Sequence, residues 1–178
     1  QLLEAQGVDA MVTKEMQKDV DRLEKVTERF SKIGSGAQLA DSDICLTVRN
    51  VMSYMQPRIS DKVEVIVQAD GNFQAKHNAP LIEWVVENIA KNAVDAMEAE
   101  GTLEVSVSDS SDWVHIDIKD SGKGIPAGQL TTIFEPGFST KKRGWGLGLS
   151  LVKRIVKEYH KGRVFVLESQ LEVGTTFR

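Results

Sequence analysis

The chain has 178 residues, 41% of them apolar and 27% charged, with a formal net charge of −4. That length suits one compact α/β domain plus a short extra element, and the acidic balance argues against nucleic acid as a partner. No apolar run approaches the roughly 18 residues of a membrane-spanning helix, and the single cysteine, Cys45, excludes an internal disulfide and fits a reducing compartment.

Residues 13–33 place Met16, Val20, Leu23, Val26 or Thr27, Phe30 and Ile33 at alternating helical spacings. So narrow a seam suits a helix that pairs with others in a bundle or coiled coil, although packing against its own domain would use the same stripe. Gly34, Ser35 and Gly36 break that helix and read as a linker. Asp41 and Ser42 are candidate caps for a second helix over about 43–57, with Ile44, Val48, Val51, Met52 and Met55 on its apolar face and Cys45 as a small filler. Val63, Val65 and Val67 alternate with polar residues, as a strand does. Asn78, Ala79 and Pro80 open a helix expected to run to about Ala99 and to be ended by Gly101. Strands follow over 103–109 and 112–119, then a Gly-rich loop over about 120–146. A helix from Leu147 to His160, apolar at Leu147, Leu151, Ile155 and Tyr159, precedes two strands near 163–169 and 174–178. Adjacent strands on short links imply a mixed or antiparallel sheet with helices on one face, an α+β fold.

Three stretches carry chemistry. On the helix after Pro80, Ile82, Val85, Val86, Ile89, Ala93 and Met97 form a buried stripe, and Asn88, Asn92 and Asp95 follow at i, i+4 and i+7 along its border. Two asparagines one turn apart carry a propensity cost with no local benefit. They are either exposed amides on a surface face or a functional pair, since an amide oxygen is a hard ligand for Mg2+ and its NH2 donates to phosphate. In the second stretch Asp120 falls on the apolar parity of Val114, Ile116 and Ile118, so its carboxylate points inward at the strand end. A buried carboxylate needs a donor, which a ligand's exocyclic amine can supply; the following Ser121-Gly122-Lys123-Gly124 can equally be only a tight turn. The third stretch runs Lys141, Lys142 and Arg143 into alternating glycines at Gly144, Gly146 and Gly148. Backbone N–H groups at such a helix start suit phosphate; the alternative is a connector with a solvated basic trio.

Taken in this order, the stretches resemble the boxes of histidine kinases. Asn88-x-x-x-Asn92-Ala93 resembles the N box and Asp120-Ser121-Gly122-Lys123-Gly124-Ile125 the G1 box. Phe134-Glu135-Pro136 is similar to the F box and Gly144-Trp145-Gly146-Leu147-Gly148-Leu149 to the G2 box. Gly174-Thr175-Thr176-Phe177 is similar to the family's last strand. The likeness covers about residues 43–178, and residues 13–33 resemble the second helix of the dimerisation and histidine-phosphotransfer hairpin.

The resemblance implies a two-layer α/β sandwich of the ATP-binding type shared by gyrase, histidine kinases and MutL. It divides the chain into a partial dimerisation segment over 1–36, lacking the acceptor histidine, and a catalytic ATP-binding domain over 37–178. Asn92 would ligate Mg2+, with Asn88 supporting metal and phosphates and Lys141, on a lid over about 137–146, meeting the γ-phosphate; Asn88 and Lys141 thereby take the catalytic roles. Asp120 would accept from the adenine amine and Thr175 complete that contact. Gly144, Gly146 and Gly148 would line the phosphates, and Asp95, Ala96, Gly122, Gly124, Ile125, Leu147 and Leu149 complete the ATP-binding set. A homodimer through 13–33, a response-regulator receiver domain as partner, and a cytoplasmic location, free or as part of a membrane-bound sensor, are also implied.

Departures from the family sharpen the expectation. Many histidine kinases carry a basic residue where this chain has Asp95, so phosphate neutralisation falls to Lys91 or to the lid, and Trp145 replaces a commonly smaller residue. None of His77, His115 and His160 has the acidic neighbour and downstream Pro of an H box, so the acceptor is expected upstream of Gln1. His115 reads as a surface histidine, and His160 as a residue placed for a helix dipole. The competing readings are an ATPase of the gyrase and MutL kind and a non-catalytic nucleotide-sensing module. Such ATPases keep a Glu as general base four residues before the metal Asn. Here Asn88 holds that position and cannot take a proton, while Glu87 is turned roughly 100° around the helix.

Overall fold

The structure, a computed structural model, describes residues 38–110, 112–141 and 146–178. The helix expected at 13–33 and the loop residues Lys142, Arg143, Gly144 and Trp145 lie outside those residues, and none of the described helices is long and apolar enough to cross a membrane.

Short polar strands open the described part. Ala40–Asp43 (β1) pairs antiparallel with Gln74–His77 (β3), Ala40 opposite His77 and Asp43 opposite Gln74. Helix α1, Ile44–Met55, follows at once, and its cap is Asp43, whose side chain accepts from the Cys45 N–H at 3.0 Å. The expected caps Asp41 and Ser42 lie further back in β1, whereas Asp43, its last residue, directly precedes Ile44 and is the side chain within reach of the first-turn N–H groups. The expected apolar face of α1 is buried, with Cys45 fully so.

Helix α2, Ala79–Ala96, starts where the Asn78 side chain accepts from the Leu81 N–H at 3.1 Å and Pro80 fills the first turn. Its stripe (Ile82, Val85, Val86, Ile89, Ala93, Met97) is no more than 7% exposed at any position. The helix stops three residues short of the expected Ala99, and Gly101 does not end it. Glu98 and Ala99 take φ of 54° and 64°, a region that costs an L-residue roughly 1–2 kcal/mol. The reason is long-range: Gly101 already opens strand β4, Gly101–Ser110, in parallel register with Val63 of β2, Val63–Gln68.

A five-stranded sheet runs β2-β4-β5-β7-β6, with β5 at Trp113–Asp120, β6 at Val166–Gln170 and β7 at Gly174–Phe177. Only the β2–β4 pair is parallel among these. Leu103, Val105, Val107, Ile118 and Phe177 are buried on the helix-covered side. Glu104, Ser106 and Ser108 lie on the other parity, opposite Lys119, Asp117 and His115. The last helix, α3, is Gly148–Arg154 and continues as a π-turn over Ile155–Tyr159. The apolar face differs from the expected one: Leu151, Val152 and Ile155 are buried, whereas Leu147, which stands just before the first turn, is 40% exposed.

His160 corrects a second expectation. Its Nε2 accepts the Asn78 N–H at 3.1 Å and its Nδ1 lies 3.0 Å from the Ile155 carbonyl. The ring therefore donates through Nδ1 and is neutral, joining the end of α3 to the start of α2 instead of serving as a cation on a dipole. Burial lowers its pKa, the Ile155 carbonyl opposes that, and His77 reinforces it. The unfolded imidazole titrates near 6.5 and the folded one below that, so the stability from neutral His160 is complete above that pH and is lost as pH falls through the window beneath it. Melting temperatures measured between about pH 7.5 and pH 5.5 should fall with acidification in the parent and fall less in His160→Gln. Equal slopes would assign the acid loss to other groups.

Candidate functional site

Helix α2 is the wall that the candidate residues share. Asn88 Nδ2 donates to the Trp84 carbonyl at 2.9 Å. Its Oδ1 faces Gly148, where an added Cβ would stand only 3.2 Å away. One turn on, Lys141 Nζ donates to Asn92 Oδ1 at 2.9 Å and ion-pairs with Asp95. Both members of that pair are about half exposed, with side-chain accessibilities of 46% and 56%, so the contact is worth at most about 1 kcal/mol and exchanges readily. Lys91, the other candidate cation, is held by Glu87. An ammonium group thus sits on an amide oxygen and a carboxylate oxygen, the donor chemistry of a hard divalent cation. Among the described residues no cluster of three or more His, Cys, Asp or Glu exists, so a cation held at Asn92 needs oxygens from a ligand to fill its shell.

Asp120 ends β5 with only 3% exposure. Its Oδ1 accepts the Gly122 N–H at 2.8 Å. Burial pushes the carboxyl above its usual value, against the pull of the Gly122 and Thr175 backbone N–H groups. Gly122 has no side chain because the loop lies on the end of α2: a Cβ there would come within 2.6 Å of the Ala96 carbonyl carbon, and the Lys123 N–H donates to the Ala96 oxygen at 3.1 Å. Gly124, at φ 71°, would place a Cβ 2.2 Å from the Gln170 carbonyl oxygen. Ile125 closes the loop by donating its N–H to Ser169 Oγ at 2.8 Å, and Thr175, opposite Asp120 in β7, is 4% exposed.

The third wall is built on Phe134, buried edge-on against Phe177 with centroids 6.3 Å apart. Beyond it the Gly137 N–H donates to the Gly146 carbonyl at 3.1 Å. The first helical bond of α3 is Leu151 N–H to Leu147 O, so the N–H groups of Gly148, Leu149 and Ser150 precede the intrahelical ladder. The contacts run in series: Gly148 to Asn88, Lys141 to Asn92 and Asp95, Ala96 to Gly122, Gly122 to Asp120, and Asp120 to Thr175. Gly144 lies outside the described residues. Ser169 is the residue in this series that sequence reasoning missed; only the β6–β7 register brings it to Ile125 and Thr175, and no local pattern marks it.

The sequence pattern of the family described as "Histidine kinase-, DNA gyrase B-, and HSP90-like ATPase" matches residues 77–178. The chain is 33% identical over 166 residues to the sensor histidine kinase ZraS of Escherichia coli (strain K12), covering 91% of this chain and 35% of that protein. It is 39% identical over 97 residues to sporulation kinase A of Bacillus subtilis (strain 168), covering 54% of this chain and 16% of that one. This chain therefore spans about a third or less of these relatives. Among solved structures, a nucleotide-free catalytic domain of histidine kinase ThkA superposes with a TM-score of 0.71 at 25% identity, over 79% of this chain and 92% of that one.

Proposed function

Because the chain belongs to the histidine kinase-, DNA gyrase B- and HSP90-like ATPase family, we propose that it binds Mg·ATP against α2 and acts as the catalytic domain of a two-component sensor histidine kinase. The observation that carries this reading is the contact of Asn88, Asn92 and Asp95 with Gly148 and Lys141, with buried Asp120 at the far end of the same helix. Asp120 accepts from the adenine amine, with Thr175 beside it. Gly144, Gly146, Gly148 and the α3 N–H groups meet the phosphates. Lys141 leaves Asp95 for the γ-phosphate, and Asn88 braces the phosphate loop. Asn92 would hold a Mg2+ ion, which would supply neutralisation of the phosphate charge.

The acceptor is a histidine outside the described domain. Its neutral imidazole nitrogen already has a lone pair and needs no strong base. That pair forms the N–P bond, the bond to the β–γ bridging oxygen breaks with its electrons leaving on ADP, and the ring releases its N–H proton. The partners we propose are a response-regulator receiver domain, which takes the phosphoryl group on an aspartate, and a second copy of the chain joined through 13–33.

The ATPase reading remains the rival. Asn88 stands where a hydrolase would keep its base, and Glu87 is occupied with Lys91. Calorimetry should show ATP and ADP binding that depends on Mg2+, and steady ATP turnover should be very slow. With the acceptor histidine included, an acid-labile, alkali-stable label should form from ATP. No binding at millimolar nucleotide sinks the proposal; rapid turnover without label transfers it to the ATPase.

A further inference from the structure

One side chain outside the motifs joins the walls at the base end of the site. Ser169 of β6 lies opposite Thr175 of β7. Its Oγ accepts the Ile125 N–H at 2.8 Å and stands 2.9 Å from Thr175 Oγ1. Thr175 and Asp120 are cross-strand partners on the inward face, 4% and 3% exposed. A serine has one proton to give. Either hydroxyl can donate across the 2.9 Å contact with Thr175 Oγ1, and the Gly174 carbonyl at 3.4 Å is a second, longer acceptor for the Ser169 proton. A ligand acceptor beside Asp120 that takes the Thr175 proton leaves Thr175 Oγ1 to accept from Ser169, so that both hydroxyls are paired.

We propose that Ser169 is a positioning residue that makes Thr175 a donor next to the acceptor Asp120, so that the site selects a base with an amine beside an unprotonated ring nitrogen. The inference rests on the nucleotide reading above. Adenine presents that edge. Hypoxanthine has nearly the same outline but carries a carbonyl and a ring N–H at those places, which reverses both contacts. A site built on hydrogen bonds rejects such an analogue far more strongly than a site built on shape.

The test is the ratio of ADP to IDP affinity, measured by calorimetry. The ratio should fall at least about fivefold in Ser169→Ala and in Ser169→Cys, whose thiol is a weak donor, and return in Ser169→Thr. In a Thr175→Val background, Ser169→Ala should leave the ratio unchanged, because no hydroxyl remains to be oriented. Loss of the Ile125 partner weakens both nucleotides alike and cancels. The parent ratio retained in Ser169→Ala or Ser169→Cys, or an equal fall in the Thr175→Val background, overturns the proposal. If Ser169→Ala loses its cooperative melt, the near-isosteric Ser169→Cys decides. A parent that binds neither nucleotide removes the nucleotide reading itself.

Discussion

Replacing Asn92 by Ala should reduce histidine labelling, in a chain that includes the acceptor, by about 100-fold or more. A metal's share of transition-state charge stabilisation is several kcal/mol, and each 1.36 kcal/mol is about tenfold in rate. The fold should hardly notice. Asn92 is only half-buried, and the contact its side chain makes is with Lys141, itself a surface group, so a loss of stability within about 0.5 kcal/mol is expected. The accompanying readout is ADP affinity with and without Mg2+: the parent should show a dependence that Asn92→Ala lacks, while metal-free affinity stays the same. Undiminished labelling, or an unchanged Mg2+ dependence, would remove Asn92 from the proposed site.

What could be read in the sequence was local in origin. The stripe and the polar border of α2 follow from helical periodicity alone, and the inward aim of Asp120 follows from strand parity. The errors are long-range. Strands Ala40–Asp43 and Gln74–His77 carry almost no apolar residues and exist because they pair with each other across thirty intervening residues. The end of α2 is dictated by the parallel register of Val63 with Gly101, which forces two left-handed residues that no propensity favours. His160 has the position of a dipole cation in the sequence, and the Asn78 N–H that keeps its ring neutral comes from a residue far away in the chain. Asp95 is instructive in another way. As a departure from the family it read as a missing positive charge, whereas in the fold it draws in Lys141 from a distant segment and so brings a cation to the same helix face.

Asp120→Asn separates binding from stability. In the fold its carboxylate accepts from the Gly122 N–H, with the Thr175 N–H also turned toward it, and under the proposed reading the adenine amine is a third donor. A carboxylate can accept from all of them, whereas an amide must turn its NH2 toward one and meet donor with donor. The expected loss of ADP affinity is on the order of 1–3 kcal/mol, or roughly 5–150-fold. Stability should move the other way. Because burial raises this carboxyl above 3.8, the folded state holds the proton more tightly than the unfolded state does. Its stabilising share is therefore full below that pH and is lost as pH rises through the raised value. At neutral pH the charged group is a burden that a neutral amide relieves, so the melting temperature of Asp120→Asn should equal or exceed that of the parent. ADP affinity in the parent should also decline on acidification, as the acceptor becomes protonated, and the variant should lack that decline. Equal affinity in the two proteins would take Asp120 out of the site. A joint fall in affinity and melting temperature would make it a structural carboxylate, and the pH dependence of binding would then persist in the variant.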